Sequence, residues 1–192
     1  MSANAQPRFT VEEYLEFDRK SEIRNEYYNG QIYAMAGGTH NHAIINANIS
    51  GELRARLKGR ACRTTSSDLR VQIPVKGSYV YPDVVVVCGE PQYGDKVTDV
   101  LLNPTLVIEV LSPSTESLDR GLKSSYYRSH DSLREYAIVS QTEARVEIYT
   151  RQPSGWLLAE SAGLDTACHF KSVDCTVPLA EIYDKVNFEQ SA

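Results

Sequence analysis

The sequence predicts one α/β domain, ordered as a helix, a β-hairpin, a second helix, several strands, a third helix and further strands. Three observations carry this. An Asn-Gly pair separates two strand-like runs within residues 26–37, apolar residues recur every four positions from Ile45 to Leu57, and the runs Val84–Cys88 and Leu106–Ile108 are continuously apolar. The last two are far shorter than the ~20 residues a membrane helix needs, so they read as buried strands.

Taken in order, Thr10 and Glu13 form a capping-box pattern, and Tyr14, Leu15 and Phe17 give a helix over residues 10–20 a partly apolar face. Asn29-Gly30 is the strongest short-range hairpin signal, because both residues accept the positive φ of a tight turn. From His42 to Leu57 the stripe Ile45, Ile49, Leu53 and Leu57, with Glu52, Arg54, Arg56 and Lys58 outside it, predicts an amphipathic helix ending near Gly59. Leu69, Val71 and Ile73 alternate as a strand, and the Pro-Val-Lys-Gly-Ser stretch turns the chain into a further strand region, Tyr79–Val87. Residues 90–103 read as a polar loop and Thr105–Leu111 as a core strand. Ser112–Thr115 should turn the chain into a helix over 116–129, and strands follow at Arg134–Val139, Arg145–Tyr149 and Gly155–Leu158. No repeat, linker or low-complexity segment divides the chain, so a single domain over residues 7–188 is expected.

Composition bounds the function. A chain of 192 residues with 42% hydrophobic and 23% charged residues is an ordinary globular protein. At that length roughly 70% of the unfolded surface can be buried without a staple. The net charge of −5 argues against a protein that coats nucleic acid through phosphate neutralisation, yet leaves room for an acidic metal site. The N-terminus lacks a basic segment followed by an apolar stretch, so a cytoplasmic location is expected. Cys62, Cys88, Cys168 and Cys175 show no CxxC rhythm and are expected to be reduced, buried thiols. Twelve tyrosines against four phenylalanines suit interfaces as well as cores, so a homodimer is expected.

Two acids stand out from their surroundings. Asp83 opens the run Asp-Val-Val-Val-Val, and Glu109 interrupts Leu-Val-Ile-Glu-Val-Leu. An unpaired buried carboxylate costs several kcal/mol, so each needs a cation, a hydrogen-bond network or an opening to water. A core arginine could answer one such acid. For two on successive strands, Mg²⁺ is the more direct answer, because it uses one or two carboxylates and keeps the rest of its shell for water and phosphate oxygens.

Pro82-Asp83, a loop, and then Glu109-Val110-Leu111 resembles the PD-(D/E)xK nuclease superfamily, with Leu111 standing where that pattern has lysine. The sequence is similar over nearly its whole length to the Uma-type restriction-endonuclease-like proteins of bacteria. The similarity runs through Glu26–Gly30, Gly38–His42, Tyr81–Val84, Val107–Thr115, Asp119–Lys123 and Glu135-Tyr136. This resemblance implies a restriction-endonuclease-like core with a mixed central β-sheet flanked by helices. It also implies that Lys123, on the helix after the glutamate strand, replaces the missing lysine, and that Glu26 is a further acidic member of the site. The expected activity is Mg²⁺- or Mn²⁺-dependent endonucleolytic cleavage of DNA. Asp83, Glu109 and the Val110 carbonyl would hold the metal, and Asp83, Glu109, Lys123 and Glu26 would be the catalytic residues. The alternative is a non-catalytic descendant that binds nucleic acid or protein.

Two signals receive little weight. His40 and His42, at i and i+2 of a helix start, face apart and read as packing or capping residues. Tyr126 and Tyr127 read as core.

Overall fold

The computed structural model describes residues 8–112 and 116–188, so the turn expected at Pro113–Thr115 lies outside the described residues. Helix α1 (Val11–Lys20) opens with the expected capping box, Thr10 accepting from the Glu13 amide while Glu13 accepts from the Thr10 amide. The hairpin β1 (Asn25–Tyr28) and β2 (Gln31–Ala34) turns through Asn29 and Gly30 at φ of 48° and 87°. Helix α2 (His40–Arg56) begins two residues before the expected start, because Thr39 caps it by accepting from the His42 amide.

Next come β3 (Cys62–Ser66), β4 (Arg70–Ile73), β5 (Ser78–Val80), β6 (Val84–Cys88), β7 (Val100–Leu101) and β8 (Leu106–Val110). The expected helix over 116–129 is an interrupted one. It consists of α3 (Glu116–Leu118), a π-helical turn (Asp119–Lys123) and α4 (Ser124–Arg128). The chain continues with β9 (Glu135–Val139), β10 (Arg145–Gln152), β11 (Gly155–Ala162), β12 (Ala167–Phe170), β13 (Cys175–Pro178) and α5 (Leu179–Ile182).

The strands form a six-stranded sheet, β11-β10-β9-β8-β6-β3, and a five-stranded sheet, β2-β1-β5-β4-β7, with β12 and β13 paired separately. β8 pairs parallel with β9 and β4 parallel with β7, and the remaining pairs are antiparallel. The mixed sheet flanked by helices agrees with the expected fold class.

Both faces of the six-stranded sheet are covered at its central strands β6, β8 and β9, which explains why β6 and β8 are apolar without alternation. Val84, Val86, Leu106, Ile108 and Val110 pack with the α2 stripe Ile45, Ile49 and Leu53. Val85, Val87 and Val107 face the other way, into a core with Val71, Val80, Tyr127 and Leu133. Glu109 shares the parity of Val107 and Leu111, so its carboxylate enters that second core. Leu111, in the place of the motif lysine, is an apolar member of the same core.

The cysteine expectation is half corrected. Cys168 and Cys175 are free and buried, but Cys62 and Cys88 form a disulfide. They are direct cross-strand partners in the antiparallel β3–β6 pair, with Cα atoms 4.0 Å apart. β3 went unread because Cys-Arg-Thr-Thr-Ser carries no apolar alternation.

Candidate active site

The strand region Tyr79–Val87 is really two strands in two sheets, joined by Tyr81-Pro82-Asp83. Proline cannot donate to a ladder, so pairing lapses there. Extending the antiparallel register Val84↔Ile108 by one step sets Asp83 opposite Glu109. The Asp83 side chain takes over as ladder acceptor: its Oδ2 receives the Val110 amide at 2.8 Å, while the Asp83 amide lies 3.3 Å from Glu109 Oε2.

Four more elements meet this point. From α2, His42 Nε2 stands 3.2 Å from Asp83 Oδ2 and Asn46 Nδ2 3.5 Å from Oδ1. From β1, Glu26 accepts the Tyr81 amide at 3.2 Å on Oε1 and the Tyr28 hydroxyl at 3.0 Å on Oε2. From the π turn, Lys123 Nζ reaches Glu26 Oε1 at 3.0 Å, Glu109 Oε1 at 3.4 Å and Asp119 Oδ1 at 3.6 Å. Tyr127, one turn further on, donates to Glu109 Oε1 at 2.8 Å.

Glu26, Asp83, Glu109 and Lys123, the four residues singled out in the sequence, therefore lie together, on the walls and floor of a cleft of about 420 Å³. Sequence reasoning missed two members. Asp119 sits four residues before Lys123, a spacing that could have flagged it. His42 was expected to pack or cap, but the helix turns its imidazole to Asp83, because the buried stripe that begins at Ile45 sets that face inward. Tyr126 and Tyr127 are buried as expected.

The electrostatics are unbalanced. Four carboxylates share the cleft with one lysine, and His42 is the remaining candidate cation among the described lining residues. Burial, followed by the charges of Asp83, Asp119 and Glu26, pushes the Glu109 carboxyl well above the usual carboxylate range despite the opposing pull of Lys123. Burial alone would depress the Lys123 ammonium, but Glu109 and Glu26 outweigh it and hold the pKa well above the ordinary lysine value. His42 behaves alike: burial opposes its protonation, and Asp83 raises it beyond the ordinary imidazole value. A further cation would relieve Glu109.

Among the described residues no three His, Cys, Asp or Glu side chains form a ready metal cage. The donor set instead matches a hard ion that takes two carboxylates and fills its shell with backbone oxygen and water. Asp83 and Glu109, opposite one another beside Val110, supply such a set.

The mixed β-sheet flanked by helices is that of the restriction-endonuclease-like class of α/β proteins. A crystal structure described as that of a "putative nuclease belonging to DUF820" from Anabaena variabilis superposes with a TM-score of 0.77, covering 93% of this chain and 99% of that one. At 17% identity, that likeness concerns the fold. The family model described as "Uma2: Putative restriction endonuclease" matches residues 11–170, and the chain belongs to this family. Two uncharacterized proteins of Synechocystis sp. are similar to it. One is 37% identical over 183 residues, 95% of each chain, and the other 34% identical over 162 residues, 84% of this chain and 92% of its own.

Proposed function

We propose that this protein is a divalent-metal-dependent nuclease that hydrolyses phosphodiester bonds of DNA, with Asp83, Glu109, Lys123 and Glu26 as its working residues. One observation carries the reading: a buried lysine within 3.0–3.6 Å of three carboxylates, beside an aspartate set opposite one of them at the floor of a cleft. Family membership supports nuclease chemistry.

Asp83, Glu109 and the Val110 carbonyl would hold Mg²⁺ or Mn²⁺, which lowers the pKa of a bound water and offsets charge on the phosphate. The protein's own groups do the positioning. The Val110 amide, His42 and Asn46 fix both oxygens of Asp83, and the Tyr127 hydroxyl fixes Glu109 Oε1. Lys123 Nζ, held ionised, orients the attacking water or donates to the oxygen on which negative charge grows. Glu26 keeps Lys123 aimed at that point.

The test is nicking of supercoiled plasmid by purified protein in Mg²⁺ or Mn²⁺. Asp83→Ala and Glu109→Ala should each abolish it, and the same cleavage by either variant overturns the reading. Calorimetry that finds no Mg²⁺ or Mn²⁺ binding, beside tight nucleic-acid or protein binding, would establish the non-catalytic alternative.

A further inference from the structure

We infer that the cleft takes a single unstacked nucleotide unit of single-stranded nucleic acid, not an intact duplex; the inference rests on the phosphodiesterase reading above. The first ground is depth. The side chains of Glu109, Lys123 and Glu26 expose 5%, 7% and 8% of their surface, and Asp83 13%. A phosphate must descend to meet them, into a cleft of about 420 Å³. That volume belongs to the range of small-molecule pockets, roughly 300–1,000 Å³, and a paired and stacked duplex keeps its phosphates on a surface too broad to enter. Enzymes that must bring a base into a pocket act on single strands or extrude one nucleotide from the stack, and a nucleotide unit that enters this cleft needs the same freedom.

The second ground is the chemistry of the mouth. Duplex binders engage phosphates with exposed lysine and arginine. Among the described lining residues Lys123 is the sole lysine or arginine, and three carboxylates already surround it. The mouth instead presents Tyr33, Leu118 and Leu122, which are 52%, 36% and 43% exposed.

Tyr33 is the cross-strand partner of Glu26, so its ring stands on the face that carries the acid. It is braced edge-on by Tyr28, with ring centres 5.8 Å apart and planes at 68°. A braced, half-exposed ring beside the reacting groups is a stacking platform, and it accepts any base because every base has a π-face. Leu118 and Leu122 line the same cleft and add apolar surface to it. No hydrogen-bonding code for a particular base is needed, so cleavage should tolerate sequence.

The test is fluorescence anisotropy with a short labelled oligothymidylate and a blunt duplex of equal length, in Ca²⁺ to hold the ligand without turnover. Oligothymidylate should bind at least about tenfold more tightly than duplex. Tyr33→Ala should weaken it about 5- to 150-fold, as loss of one stacking partner does, while Tyr33→Phe, which keeps the ring, should stay near wild type. Circular dichroism on each variant confirms folding. Equal or tighter duplex binding overturns the inference, as does a folded Tyr33→Ala variant that binds like wild type. Tyr33-dependent single-strand binding without cleavage in Mn²⁺ sustains it and removes the nuclease reading. Asp83-dependent cleavage of duplex with no role for Tyr33 does the reverse.

Discussion

Replacing Lys123 by methionine keeps the stem of the side chain and removes its charge, which isolates the electrostatic role of the ammonium. Lys123 is within 3.0, 3.4 and 3.6 Å of Glu26, Glu109 and Asp119, and all four residues are buried. Taking one partner out of a buried ion pair costs about 3–5 kcal/mol, because the orphaned charge stays behind. For a chain of 192 residues each kcal/mol moves the melting temperature by roughly 2–4 °C, so Lys123→Met should melt about 6–20 °C lower near pH 8.

The loss must also depend on pH. Without the ammonium, Glu109 loses the one charge that pulls its proton affinity down, so its carboxyl, already raised, titrates higher still in the folded variant. The folded variant then binds more protons than its unfolded chain, so its stability falls as pH rises from the ordinary carboxylate range through the raised values. Lowering the pH should return much of what the substitution removed. Thermal unfolding of both proteins from about pH 5 to pH 8 in EDTA measures this. A variant that melts with the wild type at high pH, or a difference that stays constant with pH, would refute the reasoning.

Three further outcomes are expected. Because Glu109 holds its proton above the usual range, an ion bound there as proposed would displace it, so Mn²⁺ affinity should rise with pH across that window with proton release. Calorimetry in two buffers of different ionisation enthalpy reads this, and a proton count of zero would contradict it. Reduction of Cys62–Cys88, which closes a separation of 26 residues, should cost about 2–4 kcal/mol in urea unfolding. Mass spectrometry after alkylation of the unfolded, unreduced protein should find label on Cys168 and Cys175 alone. Leu53→Ala, at a fully buried position under the six-stranded sheet, should cost about 2–5 kcal/mol in the same assay.

The parts of the fold legible in the sequence are those where local chemistry and tertiary environment agree. Thr10 and Glu13 cap each other within one turn, Asn29-Gly30 needs nothing beyond its own backbone, and the α2 stripe buries the face its period marks. The acids were legible for a related reason: a carboxylate inside an apolar strand is costly wherever that strand goes. What escaped depends on distant partners. Cys62 has a meaning only when β3 lies against β6, and His42 only when α2 crosses the start of β6. Val100 and Leu101 become a strand because β4 offers them a parallel edge, and nothing in the polar stretch around them announces it. Glu26 and Lys123 were reached through resemblance, since a lone charge on a hairpin or helix reads as a solvated one until the second core closes over it.

The π-helical turn fixes more than a local irregularity. Lys123 closes that turn, 14 positions after the glutamate it faces, and α4 continues directly from it with Tyr127 donating to the same glutamate. Deleting one residue from Asp119–Leu122 would let the turn relax to α geometry and rotate one end of the helix against the other by about 100°. Either the lysine or the tyrosine would then leave Glu109. A variant of this chain one residue shorter between Asp119 and Lys123 should therefore keep the sheet beneath it and lose one of the two groups that hold Glu109 Oε1.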